Sequence, residues 1–194
     1  MPSTPAEQLA PLISADDLQA RISELAREIA LAFAAQTPVL VGLLKGSFMF
    51  MADLARALHR QGMAPTVDFM IVASYGAGTQ TSGSVQLLSD IETEIRGRPV
   101  LLVDDILDSG HTLDFCLRRL RRDRPAQLRT CILLDKPARR VIACPTDHVG
   151  FTVPNEFIVG YGLDYQGRYR ELPGLAVLNI SADTPTGRKT NILI

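Results

Sequence analysis

One stretch constrains this chain more than any other: Pro99-Val-Leu-Leu-Val-Asp-Asp-Ile-Leu-Asp-Ser-Gly-His-Thr-Leu113. Its consecutive apolar residues, Val100 to Val103, predict a strand buried on both faces, as in a parallel sheet covered by helices. Asp104 and Asp105 stand at the carboxyl end of that strand, where open α/β sheets bind their ligands. Asp108-Ser-Gly-His-Thr112 then forms a short polar turn, and Leu113, Cys116, Leu117 and Leu120 give the following helix a buried stripe. A turn at a helix N-terminus offers backbone N–H groups and the positive end of the helix dipole to an anion. Ser109 and Thr112 add hydroxyl donors. The pattern predicts a phosphate cradle beside a carboxylate pair. That combination suits a substrate carrying a phosphate together with cis-hydroxyls or Mg2+. The plainer alternative is a surface turn in which Asp108 or Ser109 merely caps the helix.

The rest of the chain alternates helical and strand-like segments. This predicts an α/β domain with a mostly parallel twisted sheet flanked by helices. Ser14 can cap a helix whose apolar face is Leu18, Ile22, Leu25, Ile29 and Phe33, with Asp17 in its first turn and Pro38 beyond its end. Val39 to Leu44 is a strand. Ser47 can cap the next helix, which buries Phe50, Leu54 and Leu58 and stops at Gly62. Strands follow at Val67 to Ala73 and Val85 to Ile91, a turn at Arg96 to Pro99, a strand at Pro99 to Val103, a helix at Leu113 to Arg122 and a strand at Leu128 to Leu134. From Lys136 the pattern breaks into shorter pieces at Val149 to Val153, Phe157 to Tyr161 and Leu175 to Ile180. The expected organisation is one domain over residues 1–180, with a core at about 14–135, a small C-terminal hood at about 136–180, and a flexible tail at 181–194. Ser74 to Gly83 is rich in glycine and hydroxyl residues and reads as a lid, the competing reading being a plain hairpin tip.

Composition excludes several classes. The chain is 46% hydrophobic and 21% charged, which supports a folded core, and its net charge of −1 argues against a general coat for nucleic acid or anionic membrane. No apolar run approaches the ~20 residues needed to span a bilayer. The opening MPSTPAEQLAPL lacks the features of a secretory signal. Cys116, Cys131 and Cys144, and likewise His59, His111 and His148, are scattered without zinc-ligand spacing, so reduced thiols in a cytoplasmic protein are expected. Neither a Walker A loop nor the Rossmann glycine fingerprint is present. The basic run Arg118-Arg-Leu-Arg-Arg-Asp-Arg124 reads first as a solvated helix face. The rival reading is a nucleic-acid-binding regulator.

The stretch from Val100 to Thr112 resembles the 5-phosphoribosyl 1-diphosphate (PRPP) motif of type I phosphoribosyltransferases. Further segments resemble the hypoxanthine-guanine branch of that family, in the family's order. They are Leu43-Leu-Lys-Gly-Ser47 (the pyrophosphate loop), Ser74-Tyr-Gly76 (the lid), Leu133-Leu-Asp-Lys-Pro137 (the purine-reading lysine), and Val149 to Tyr165 with Arg168 to Leu172 (the base-binding hood).

The resemblance implies the type I fold and a set of roles. Asp104 and Asp105 would hold the ribose hydroxyls and a Mg2+. Asp108, Ser109, Gly110, His111 and Thr112 would bind the 5′-phosphate. Asp108 would be the general base near purine N7. Lys136 would donate to a 6-oxo group, and as a donor-only ammonium it disfavours a 6-amino group. Phe157 would stack on the base, and the backbone of Ile158 would read its edge. Asp164 would anchor a second Mg2+ through water. Lys45, Gly46 and Arg170 would hold pyrophosphate, and the Leu44–Lys45 peptide can be cis. Ser74 and Tyr75 would close the lid.

The implied activity is transfer of the phosphoribosyl group to hypoxanthine or guanine in purine salvage, by a homodimer or homotetramer with no membrane or nucleic-acid partner. Phe48, Met49, Phe50 and Met51 are candidates for the oligomer contact. A xanthine-using 6-oxopurine relative is the runner-up within the class. Two positions depart from the family pattern. Asp104 stands where Glu is more usual, one methylene shorter. His111 fills the variable place of the phosphate turn, where it offers either its backbone N–H alone or an imidazolium to the phosphate.

Overall fold

The computed structural model describes residues 7–34, 36–75 and 84–180. Alternation along the central strands divides the core into two layers. Val39, Val41 and Leu43 of β2 (Val39–Leu44) and Val100 and Leu102 of β5 (Pro99–Leu107) pack under Leu113, Cys116, Leu117 and Leu120 of α3 (His111–Arg121). The intervening residues Leu40, Leu101 and Val103 face the opposite way, onto α1 (Ala15–Ala32) and α2 (Phe48–Arg60). Strands buried on both faces are the reason these segments read as continuous apolar runs.

The main sheet has the order β4-β3-β2-β5-β6-β7, with β3 at Thr66–Tyr75, β4 at Ser84–Ser89, β6 at Gln127–Asp135 and β7 at His148–Thr152. All its pairings are parallel except that of β4, which runs antiparallel on the edge. The carboxyl ends of β2, β5 and β6 therefore open along one edge of the sheet, where α/β folds place their ligands. A second, antiparallel sheet of order β1-β9-β8 is built from Glu7–Ile13, Leu175–Ile180 and Ile158–Val159.

Several expectations hold. The Ser14 hydroxyl accepts from the Asp17 N–H at 3.1 Å and caps α1. The predicted strands and helices appear within a few residues of their expected bounds. Others change. Ser47 occupies the N-cap position of α2 but does not cap it, because its buried hydroxyl donates to the Leu43 carbonyl at 2.6 Å. Strand β5 continues through the acidic pair to Leu107, held in register by β6 (Asp104 opposite Ile132, Ile106 opposite Leu134). The carboxylates thus project from a strand rather than from the turn beyond it. Strand β8 is cut to two residues because Gly160 and Tyr161 both take positive φ and end the ladder. Strand β1 was not foreseen. Most of its residues are exposed and Pro11 adjoins a register shift, so it carries no alternating pattern. The lid residues 76–83 and the tail 181–194 lie outside the described residues, as do the side chains of Ser74 and Tyr75 at the end of β3. Among the described residues no helix is long and apolar enough to cross a membrane.

Candidate active site

The phosphate turn joins β5 to α3 and is shaped by Gly110, whose φ of 94° lies in the left-handed region. A β-carbon there would overlap the Ile142 carbonyl, so the turn also needs glycine for space. The carbonyls of the turn are bound by neighbouring groups. Ser109 O accepts from the N–H groups of Val141 (2.9 Å) and Ile142 (3.0 Å). Arg140 donates to Asp108 O (3.0 Å) and Leu107 O (3.1 Å) and pairs with Asp135. The first N–H groups of a helix have no carbonyl of that helix to bond, which suits the start of α3 to a phosphate.

Asp104 is 7% exposed, and its Oδ1 accepts from the Asp105 N–H at 3.0 Å. Burial, followed by the adjacent Asp105 charge, pushes its carboxyl well above the usual carboxylate range. Burial also raises Asp105, opposed first by hydrogen bonding with Asp104 and the backbone and last by the Arg170 charge. A buried carboxylate beside a half-buried one calls for a cation. Among the described residues no group of three or more His, Cys, Asp or Glu converges as a metal cage. The carboxylate pair itself suits Mg2+, which binds through one or two carboxylates and completes its shell with substrate oxygens and water.

At the end of β2 the Leu44–Lys45 peptide is cis, and Gly46 follows. A β-carbon on Gly46 would collide with the Asp105 carboxylate, which places the Lys45–Gly46 loop, the expected pyrophosphate loop, against the acidic pair. On the other side of the loop lies the hood. A β-carbon on Gly162 would overlap the Gly46 carbonyl, Arg170 donates to the Gly162 carbonyl, and Arg170 pairs with Asp164 at 2.5 Å. Asp164 in turn accepts from the Gly167 N–H at 2.6 Å.

Lys136 leaves the end of β6, is 6% exposed and donates to the Glu156 carbonyl at 2.9 Å. Burial lowers its pKa, and the Asp108 charge works against that. Next to Glu156, the Phe157 ring meets Tyr165 edge-on at 5.6 Å, and Ile158 is held in β8 opposite Val177. Contacts thus link Gly46, which follows Lys45, with Asp105, Gly162, Arg170 and Asp164. Lys136 feels the Asp108 charge and holds the Glu156 carbonyl, next in the chain to Phe157 and Ile158. The side chains of Ser74 and Tyr75 lie outside the description.

Sequence reasoning missed Arg139 and Arg140. Arg139 Nε lies 3.1 Å from Asp108 Oδ1, and Arg140 braces the turn. Their proximity to Lys136 in the chain was the available signal, but arginines in a polar segment read as solvated.

The chain matches the Phosphoribosyl transferase domain family over residues 14–166 and belongs to it. It is 47% identical over 164 residues to a hypoxanthine phosphoribosyltransferase of Escherichia coli, covering 84% of this chain and 90% of that protein. It is 46% identical over 167 residues to the bifunctional protein TilS/HprT of Listeria innocua, covering 86% of this chain but only 25% of that longer protein. The crystal structure of a hypoxanthine-guanine phosphoribosyltransferase from Bacillus anthracis superposes with a TM-score of 0.82 at 39% identity, covering 90% of this chain and all of that one. The fold is that of the type I phosphoribosyltransferases.

Proposed function

We propose that the protein transfers the 5-phosphoribosyl group of PRPP to hypoxanthine or guanine, giving IMP or GMP and pyrophosphate. The observation that carries this reading is the convergence on one sheet edge of the carboxylate pair, the phosphate turn and the buried Lys136 facing the hood. The names of the relatives point the same way.

In this reading the turn at Asp108 to Thr112 binds the 5′-phosphate, and Lys45, Gly46 and Arg170 hold the diphosphate. Asp104 and Asp105 would hold one Mg2+ and Asp164 a second through water, and the chemistry they would supply there is neutralisation of the diphosphate charge. The ammonium of Lys136 donates to the purine 6-oxo oxygen while keeping a donor for Glu156 O, since it carries three. Phe157 stacks on the base, and Asp108 takes up the proton that the purine sheds as N9 attacks C1′. Tyr75, with Ser74, closes over the reacting centre and keeps water from it.

Of Phe48 to Met51 only Phe48 is exposed, Phe50 and Met51 lying in the core; Phe48, with Val67 and Phe69 exposed on β3, supports self-association as a homodimer or homotetramer. The three cysteines are free, which suits a reducing compartment such as the cytoplasm.

The test is a chromatographic product assay with PRPP, Mg2+ and one base at a time: hypoxanthine, guanine, xanthine, adenine or uracil. IMP and GMP with little AMP or UMP are expected. A xanthine product of similar size would move the protein to the broader 6-oxopurine group. No nucleotide from any base would remove the enzyme reading and turn attention to nucleic-acid binding by the α3 arginines.

A further inference from the structure

One part-buried polar contact joins the hood to the helix that leads out of the pyrophosphate loop, and neither partner has a role in the reading above. Tyr161 is 5% exposed and has φ of 49°, between Gly160 at 102° and Gly162 at 101°. Left-handed backbone is unfavourable for a residue with a β-carbon, so a non-glycine at the middle of such a run must be held there by its surroundings. The Tyr161 N–H donates to the Leu172 carbonyl at 2.9 Å. Its hydroxyl donates to Asp53 on α2. Asp53 also accepts from Gln19 Nε2 of α1 at 2.8 Å and pairs with Arg56. Burial raises the Asp53 carboxyl, but these donors, Tyr161 first, bring it below its usual range. Burial and then Asp53 hold the Tyr161 phenol above its own, so Tyr161 remains the donor.

The diphosphate side of the site rests on this turn. Gly162 lies against the Gly46 carbonyl so closely that no side chain fits between them. Its own carbonyl accepts from Arg170, and its N–H donates to the Arg170 carbonyl at 3.0 Å. The purine side is anchored elsewhere. Phe157 O accepts from the Leu178 N–H at 2.8 Å, Ile158 pairs with Val177, and Lys136 donates to Glu156 O at 2.9 Å.

We propose that Tyr161 and Asp53 are a positioning pair that seats the hood turn on the pyrophosphate loop, setting Arg170 over Gly46 and so tuning diphosphate binding separately from purine binding. The inference rests on the reading that this edge binds a diphosphate.

Pyrophosphate titrated with Mg2+ into the full-length protein by calorimetry, alongside KM values for PRPP and hypoxanthine, tests it. In Tyr161→Phe the pyrophosphate Kd and the PRPP KM should rise about tenfold, equivalent to about 1.4 kcal/mol, with the hypoxanthine KM within about twofold of wild type. Asp53→Asn keeps an acceptor for the tyrosine hydroxyl and should stay near wild type, whereas Asp53→Leu should behave like Tyr161→Phe. A folded Tyr161→Phe protein with wild-type pyrophosphate affinity overturns the proposal. So does a parallel rise of both KM values, which a general loosening would produce. If the wild type binds pyrophosphate yet makes no nucleotide, the enzymatic reading fails while the calorimetric comparison still decides this one.

Discussion

The phosphate side and the hood side of the site are stabilised in different ways. On the phosphate side a single left-handed glycine, Gly110, shapes a short turn whose carbonyls are bound by neighbouring backbone and by Arg140. In the hood, Tyr161, Gln166 and Tyr169 all take positive φ, as do Gly160, Gly162 and Gly167. That backbone is fixed by side chains reaching across the fold: Tyr161 to Asp53, and Arg168 and Tyr169 to Glu7 of β1. The phosphate side is therefore most sensitive to changes in its backbone, the hood to loss of a remote side-chain partner.

The sharpest way to break this comparison is a pair of glycine substitutions. Gly110→Ala puts a β-carbon into the Ile142 carbonyl at a left-handed position, and Gly167→Ala puts one into open space at φ 81°. The first should cost at least about 2 kcal/mol of stability and raise the PRPP KM at least about tenfold. The second should cost about 1 kcal/mol, the conformational term alone, with the PRPP KM nearly unchanged. Urea denaturation and steady-state kinetics read both. Equal losses at the two positions would show that packing around Gly110 contributes nothing beyond φ.

The next expected effect is at Arg140. Its guanidinium serves Leu107 O, Asp108 O and Asp135 together, in a partly buried setting. Arg140→Met keeps the length of the stem and strands these acceptors. Hydrogen bonds from a charged donor are worth about 1.5–3 kcal/mol, so a stability loss of about 2 kcal/mol is expected. Because the turn loses its brace, the PRPP KM should rise more than the hypoxanthine KM. Equal changes in the two would place the brace under the whole site instead of the turn.

The same contrast explains what could be read in advance. The β5–α3 segment has its strand, its carboxylates and its turn in consecutive residues, so period and composition revealed it. The parallel core was legible because Val100 to Val103 and Val39 to Leu44 are apolar throughout. The short strands of the hood were legible from the broken pattern after Lys136, its expected base-binding role only by resemblance. Its working contacts are long-range, such as Tyr161 to Asp53, and a tyrosine between two glycines carries no local sign of a partner on another helix. Strand β1 escaped notice because its neighbour β9 supplies the pairing while its own side chains stay mostly exposed. Ser47 misled because a serine before a helix predicts a cap, whereas burial turned its hydroxyl back to the strand carbonyl.

The smallest effect concerns a group remote from both halves of the site. His148 begins β7 and is 6% exposed, and among the described residues its Nε2 has no hydrogen-bond partner. Its Nδ1 lies 3.6 Å from Glu28 of α1, which Arg21 also engages, and Asp147 and Arg129 complete the charged groups around it. Burial lowers its pKa below the ordinary 6.5, and the pull of Glu28 offsets this only in part. The unfolded chain therefore takes up the proton more readily than the native one. Stability is full above about pH 6.5 and falls as the pH drops from there toward the native pKa, because the unfolded state binds more protons across that window. His148→Phe removes this proton uptake, so its urea midpoint should fall less than that of the wild type between about pH 7.5 and about pH 5.5. Glu28→Gln should steepen the wild-type decline by removing the charge that favours the imidazolium. Parallel pH profiles for wild type and His148→Phe would mean that β7 opens locally and lets His148 titrate in water, leaving the acid sensitivity to other groups.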